Sequence, residues 1–164
     1  MVEAAALLVD EVFPARPIRQ WVLTVPFPLR FLFAAYPELM GKVLGIVTHA
    51  ISTHLAQQSG YTKREAPTGV VTLIQRFGSA LNLNIHFHML FLDGVYVQHA
   101  PDRHCFRRTA PPTVEQLHVL LHQISERVAR FLERRGILER DEVSSYLTLD
   151  GLEEDPLLDM TVPL

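Results

Sequence analysis

A chain of 164 residues, 48% hydrophobic and 20% charged, is ordinary globular material, most simply one domain with a core of its own. No run reaches the roughly 18 uninterrupted apolar residues of a membrane span, and residues 1–8 lack the basic start of a secretory signal. A formal net charge of -3 offers nucleic acid no bulk attraction, so any anionic partner must be met by a local patch; the single Cys105 excludes an internal disulfide and fits the reducing cytoplasm.

Residues 1–15 are apolar and acidic and suit a short helix or arm, followed by a loop between Pro14 and Pro17. From Gln20 the pattern has period two, with Trp21, Leu23, Val25 and Phe27 on one side and Gln20, Val22 and Thr24 on the other. This predicts a strand that Pro26 and Pro28 bring to an end. Residues 29–36 are apolar apart from Arg30 and fit either a helix or a buried loop. Pro37 suits the first turn of a helix and Gly60 its end. Between them Met40, Val43, Leu44, Val47, Ile51 and Leu55 recur at three and four.

After a polar connection, residues 69–77 read as a second strand. Gly78 to Asn82 turns the chain into a third, residues 84–94, Asn-Ile-His-Phe-His-Met-Leu-Phe-Leu-Asp-Gly, antiparallel to the second, with Asp93-Gly94 as a closing turn signal. Two short strands, Val95 to Val97 and Cys105 to Arg107, are expected about the turn at Ala100-Pro101-Asp102. Thr113 with Gln116 is a capping-box pattern, opening a helix whose apolar stripe is Leu117, Leu121, Ile124, Val128 and Phe131 and which stops at Gly136. Residues 137–164 are acidic and carry no predicted element. The sum is an α+β domain, an antiparallel sheet flanked by helices.

The chemistry concentrates in the third strand. Alternation puts His86, His88, Leu90 and Leu92 on one face and Ile85, Phe87, Met89 and Phe91 on the other. Two imidazoles on an oily strand are costly to bury unless their nitrogens are engaged, by hydrogen bonds or by a divalent metal ion. A cupin would need a glutamate shortly after the pair, where Met89-Leu90-Phe91-Leu92 stands, and a barrel hydrolase needs a longer chain. His118 and His122, one helical turn apart, are better read as solvated.

Residues 74–96, with Pro17 to Pro26 as an entry strand, resemble the central block of the two-tyrosine rolling-circle insertion-sequence transposases (IS-ninety-one type) of the HUH superfamily, over about residues 7–136. The resemblance implies an HUH-endonuclease, ferredoxin-like fold with the histidine strand central. It implies a divalent metal, Mg or Mn, on His86 and His88. It further implies attack of a tyrosine on single-stranded DNA at transposon ends. Gln75, on the neighbouring strand, is the candidate third ligand.

Basic residues Lys63, Arg64, Arg76, Arg107 and Arg108, with Trp21 and Tyr96, are candidates for a DNA groove. The family's tyrosine pair on a downstream helix is missing: Tyr36, Tyr61, Tyr96 and Tyr146 do not have that spacing, and Tyr146 is carried forward as the catalytic candidate. The family's cysteine-rich amino-terminal region is missing too. The expectation is therefore a fragment, with a partial HUH domain at 1–136 and a weakly ordered acidic tail at 137–164. The alternatives are a non-catalytic DNA-binding remnant or interaction module, and an unrelated metalloenzyme.

Overall fold

A computed structural model describes residues 15–78, 82–100, 103–140 and 145–148. The predicted amino-terminal arm, the middle of the turn at 79–81, the turn at 101–102 and most of the acidic tail lie outside these. The elements run β1 (Ile18–Thr24), α1 (Phe27–Ala35), α2 (Pro37–Gln58), β2 (Val70–Phe77), β3 (Leu83–Leu92), β4 (Gly94–Ala100), β5 (Arg103–Arg108), α3 (Val114–Arg134), β6 (Leu138–Arg140) and β7 (Ser145–Leu147). This is the α+β architecture the sequence predicts. The chain divides into two compact units.

The first unit takes in Met1–Thr24, Ser52–Gln75 and His86–Pro111. In the three-stranded antiparallel sheet the order is β1-β3-β2, so the histidine strand is central, as expected. β1 pairs with β3 from Ile18 opposite Leu92 to Thr24 opposite His86, with Trp21 opposite Met89. Phe87, Met89 and Phe91 are almost completely buried, and Trp21 meets Phe91 edge-on at 6.4 Å between centroids. Trp21 therefore packs on the oily side of the sheet, away from the surface where a nucleic-acid base could stack.

β4 and β5 form a separate antiparallel ribbon, from Gly94 opposite Arg108 to Ala100 opposite Arg103. Asp93-Gly94 is thus not a hairpin turn between β3 and β4. Asp93 is buried and its carboxylate pairs with Arg19 of β1 and, at 3.1 Å, with Nε of Arg108. Gly94 is required by close approach: a Cβ there would run into the Arg107 carbonyl oxygen and stand 2.7 Å from the Phe106 ring. Local sequence shows a turn signal at these two residues; tertiary packing uses them as an anchor and a clearance.

The second unit holds Val25–Ile51, Arg76–Ile85 and Pro112–Leu164. The ambiguous apolar stretch is helix α1. Pro28 stands in its first turn, where the absent N–H is not missed, and Pro37 forces Tyr36 out of helical geometry. On α2, Met40, Val43, Val47, Ile51 and Leu55 are buried as the spacing predicts, and Gly60 at φ 81° follows its end. α3 opens on the predicted capping box, Thr113 and Gln116 bonding each other's backbone N–H. Its buried residues are Leu120, Ile124 and Leu132, whereas Leu117 and Leu121 of the predicted stripe are exposed. Beyond Gly136, where the sequence predicts no element, β6 and β7 pair, and Arg140 bridges to Glu126 and Glu133 of α3.

Candidate metal centre

The same alternation that sinks Phe87 and Met89 turns His86 and His88 to the opposite face of β3, where both are half-buried. Their rings lie 6.3 Å apart between centroids with planes 28° from parallel. Across the β1 register Thr24 stands opposite His86 and Val22 opposite His88. Both are exposed, so this face is open along β1. One pair further on, the Gln20 side-chain nitrogen lies 3.0 Å from Nδ1 of His88. That contact orients the ring and leaves Nε2 as the nitrogen pointing elsewhere.

The donor set can be tested against a divalent ion. Among the described residues no three of His, Cys, Asp and Glu gather into a metal-holding group. The donors placed at this face are the two imidazoles and the Gln20 carboxamide that meets His88. With metal–nitrogen bonds of about 2.1 Å, two imidazoles on one ion would have centroids roughly 4.5–5.5 Å apart, so the rings, now 6.3 Å apart, would have to close by about 1 Å to share an ion. A set of two nitrogens and an amide oxygen suits Mn²⁺ or Zn²⁺ better than Mg²⁺, which prefers an all-oxygen shell. In chemistry, though not yet in spacing, the two imidazoles fit a two-histidine site with open positions.

The other candidates are distributed as follows. Gln75 is exposed on β2, the strand flanking β3 on the side away from β1. Lys63 and Arg64 are exposed on the connection after α2, and Arg107 and Arg108 on β5; all belong to the unit that holds the histidines. Arg76 begins a segment of the second unit. Tyr146 is also in the second unit, on β7, its backbone opposite Glu139. Tyr36 closes α1, Tyr61 lies under the Arg107 guanidinium at 5.9 Å, and Tyr96 packs against Phe106. His118 and His122 are exposed on α3, as their reading as solvated residues requires.

His54 of α2 meets Trp21 edge-on at 6.3 Å. Burial, and secondarily the nearby Arg19 charge, hold its imidazole below the usual histidine range.

Gln20 is the site residue that sequence reasoning overlooks. The signal was present in its alternation with Val22 and Thr24, but which β3 residue it meets depends on a register that only the folded sheet fixes.

With this geometry in hand, comparison with known proteins gives one match. A family model described as "Putative transposase" matches residues 69–162, from the approach to β2 onward, both histidines included. No curated protein and no solved structure matches the chain.

Proposed function

This chain belongs to the transposase family whose model it matches over more than half its length, and from that premise we propose that it handles single-stranded DNA of transposon ends through a metal site of the HUH type. The observation that carries this reading is the pair His86 and His88, side by side on the open face of the central strand, with Gln20 bonded to His88. A divalent ion held by the two imidazoles, with Gln75 as the candidate carboxamide donor and Gln20 supporting His88 at Nδ1, would supply charge neutralisation at a phosphate oxygen.

The protein's own part in the reaction is to present that face and to bring a nucleophile to it. In the proposed step a tyrosine oxygen forms a bond to phosphorus while the bond to a deoxyribose oxygen breaks. The products are a phosphotyrosine and a free hydroxyl end, and the covalent link conserves the energy for rejoining. Tyr146 is the candidate. The proposed place of action is the cytoplasm, and no helix among the described residues is long and apolar enough to cross a membrane.

The test combines metal and DNA. Calorimetric Mn²⁺ binding should disappear in His86→Ala with His88→Ala; unchanged binding would remove the metal site. A labelled single-stranded oligonucleotide incubated with Mn²⁺ should give a covalent adduct that Tyr146→Phe abolishes. The absence of a helical tyrosine pair in the sequence favours a second reading, a non-catalytic DNA-binding module. DNA binding without any adduct would select it.

A further inference from the structure

The β4–β5 ribbon has two unlike faces. Val95 and Val97 are buried, with Arg107 and Cys105 opposite them on the same face. The other face carries Tyr96 opposite Phe106 and Gln98 opposite His104, and reaches Arg108 at the Gly94 end. Tyr96 and Phe106 touch edge-to-face at 5.3 Å and 62°, both half-buried and so only partly covered. The guanidinium of Arg16, an exposed residue, lies 5.6 Å from the Phe106 centroid. Arg108 is 70% exposed while its Nε is held by Asp93. Along residues 94–108 there are three arginines against one carboxylate, Asp102, in a chain whose net charge is negative.

We propose that this face of the β4–β5 ribbon is a stacking platform for single-stranded DNA, bases lying on Tyr96 and Phe106 and phosphates meeting Arg16 and Arg108. Paired aromatics edged by arginines match unpaired nucleotides, whose bases offer free faces and whose backbone is anionic; a duplex offers only the second. The ribbon is rigid enough to serve. Tyr96 N–H bonds to the Pro67 carbonyl at 2.9 Å, Thr109 N–H to the Asp93 carbonyl at 3.1 Å, and Asp93 itself is clamped by Arg19 and Arg108. The platform is separate from the histidine pair and needs no metal. It rests on the reading of the chain as a protein that works on single strands.

The experiment is fluorescence anisotropy with a labelled oligothymidylate of about 20 nucleotides and a duplex of equal length, in EDTA at fixed salt. Arg16→Gln and Phe106→Leu, alone and together, should weaken single-strand binding, by about tenfold for the pair, with a smaller effect on duplex. Arg16→Gln alters only an exposed side chain, so it remains informative if Phe106→Leu lowers stability in a thermal melt. His118→Ala with His122→Ala, exposed on α3 and outside both sites, should leave binding unchanged. Unchanged single-strand affinity in both ribbon variants overturns the platform. So does an equal loss for duplex, or an effect confined to self-association. These failures would leave Mn²⁺ binding at the histidines untouched, so the two readings fall separately.

Discussion

Gln20 and His88, 68 positions apart in sequence, are brought to 3.0 Å by the antiparallel pairing of β1 with β3. A carboxamide is an adaptable partner for an imidazole: its NH₂ donates to a bare Nδ1, and after rotation of the amide its oxygen accepts from a protonated one. The second arrangement leaves Nε2 free for an ion. Gln20→Ala should therefore weaken Mn²⁺ binding by about 10- to 100-fold, as the loss of an outer-shell partner does at other metal sites. Calorimetry on Gln20→Ala beside His86→Ala with His88→Ala checks this. A Gln20 variant with full affinity would show that His88 needs no such support.

Asp93 is the second prediction. Its side chain is only 6% exposed and faces Arg19, 19% exposed, and Arg108, 70% exposed. Removing one member of a buried ion pair strands the others, at about 3–5 kcal/mol when both are enclosed. Because Arg108 is largely in solvent, the expected cost of Asp93→Ala is smaller, about 2–3 kcal/mol. Arg19→Ala should cost more than Arg108→Ala, which should stay under about 1 kcal/mol. Denaturant unfolding of the three variants gives the ranking, and equal costs for the two arginines would contradict it.

Gly94→Ala should be costly although the φ of Gly94 is not in the left-handed region. The added methyl meets the Arg107 carbonyl and the Phe106 ring, and a paired backbone carbonyl cannot step aside. A loss of about 1–3 kcal/mol is expected, with β5 displaced from β4. A melting temperature within a degree of the parent would show that the ribbon yields easily.

What could be read from the sequence follows the range of the forces involved. The histidine strand, the end of α2 at Gly60 and the capping box at Thr113 are written in neighbouring residues, and the structure has all three. α1 was ambiguous because Phe27–Ala35 is apolar but for Arg30, and one polar residue sets no period that distinguishes helix from loop. Asp93-Gly94 carries the local chemistry of a turn, but its use is decided by two arginines, one 74 positions before Asp93 and the other 15 after it. Leu117 and Leu121 fit the helical stripe and yet are exposed, because the buried face runs through Leu120 and Ile124 instead, a rotation that the apolar run Val119-Leu120-Leu121 leaves undecided. The histidine pair was legible within one strand, whereas its contact with Gln20 required pairing between two.

His54 gives the pH prediction. Its imidazole is held below the usual 6.5 first by burial and then by the Arg19 charge. The unfolded chain therefore takes up this proton at a higher pH than the folded one. Stability from this residue is complete above about pH 6.5 and falls as the pH drops through that value, levelling off below the folded pKa. The slope contributed cannot exceed one proton per pH unit. Since the chain has eight histidines, the informative quantity is the difference between the parent and His54→Gln in chemical unfolding from pH 8 to 5. The parent should lose more stability than the variant over that range. A parent that instead gained on acidification would mean that folding favours the charged imidazole, against the burial beside Trp21.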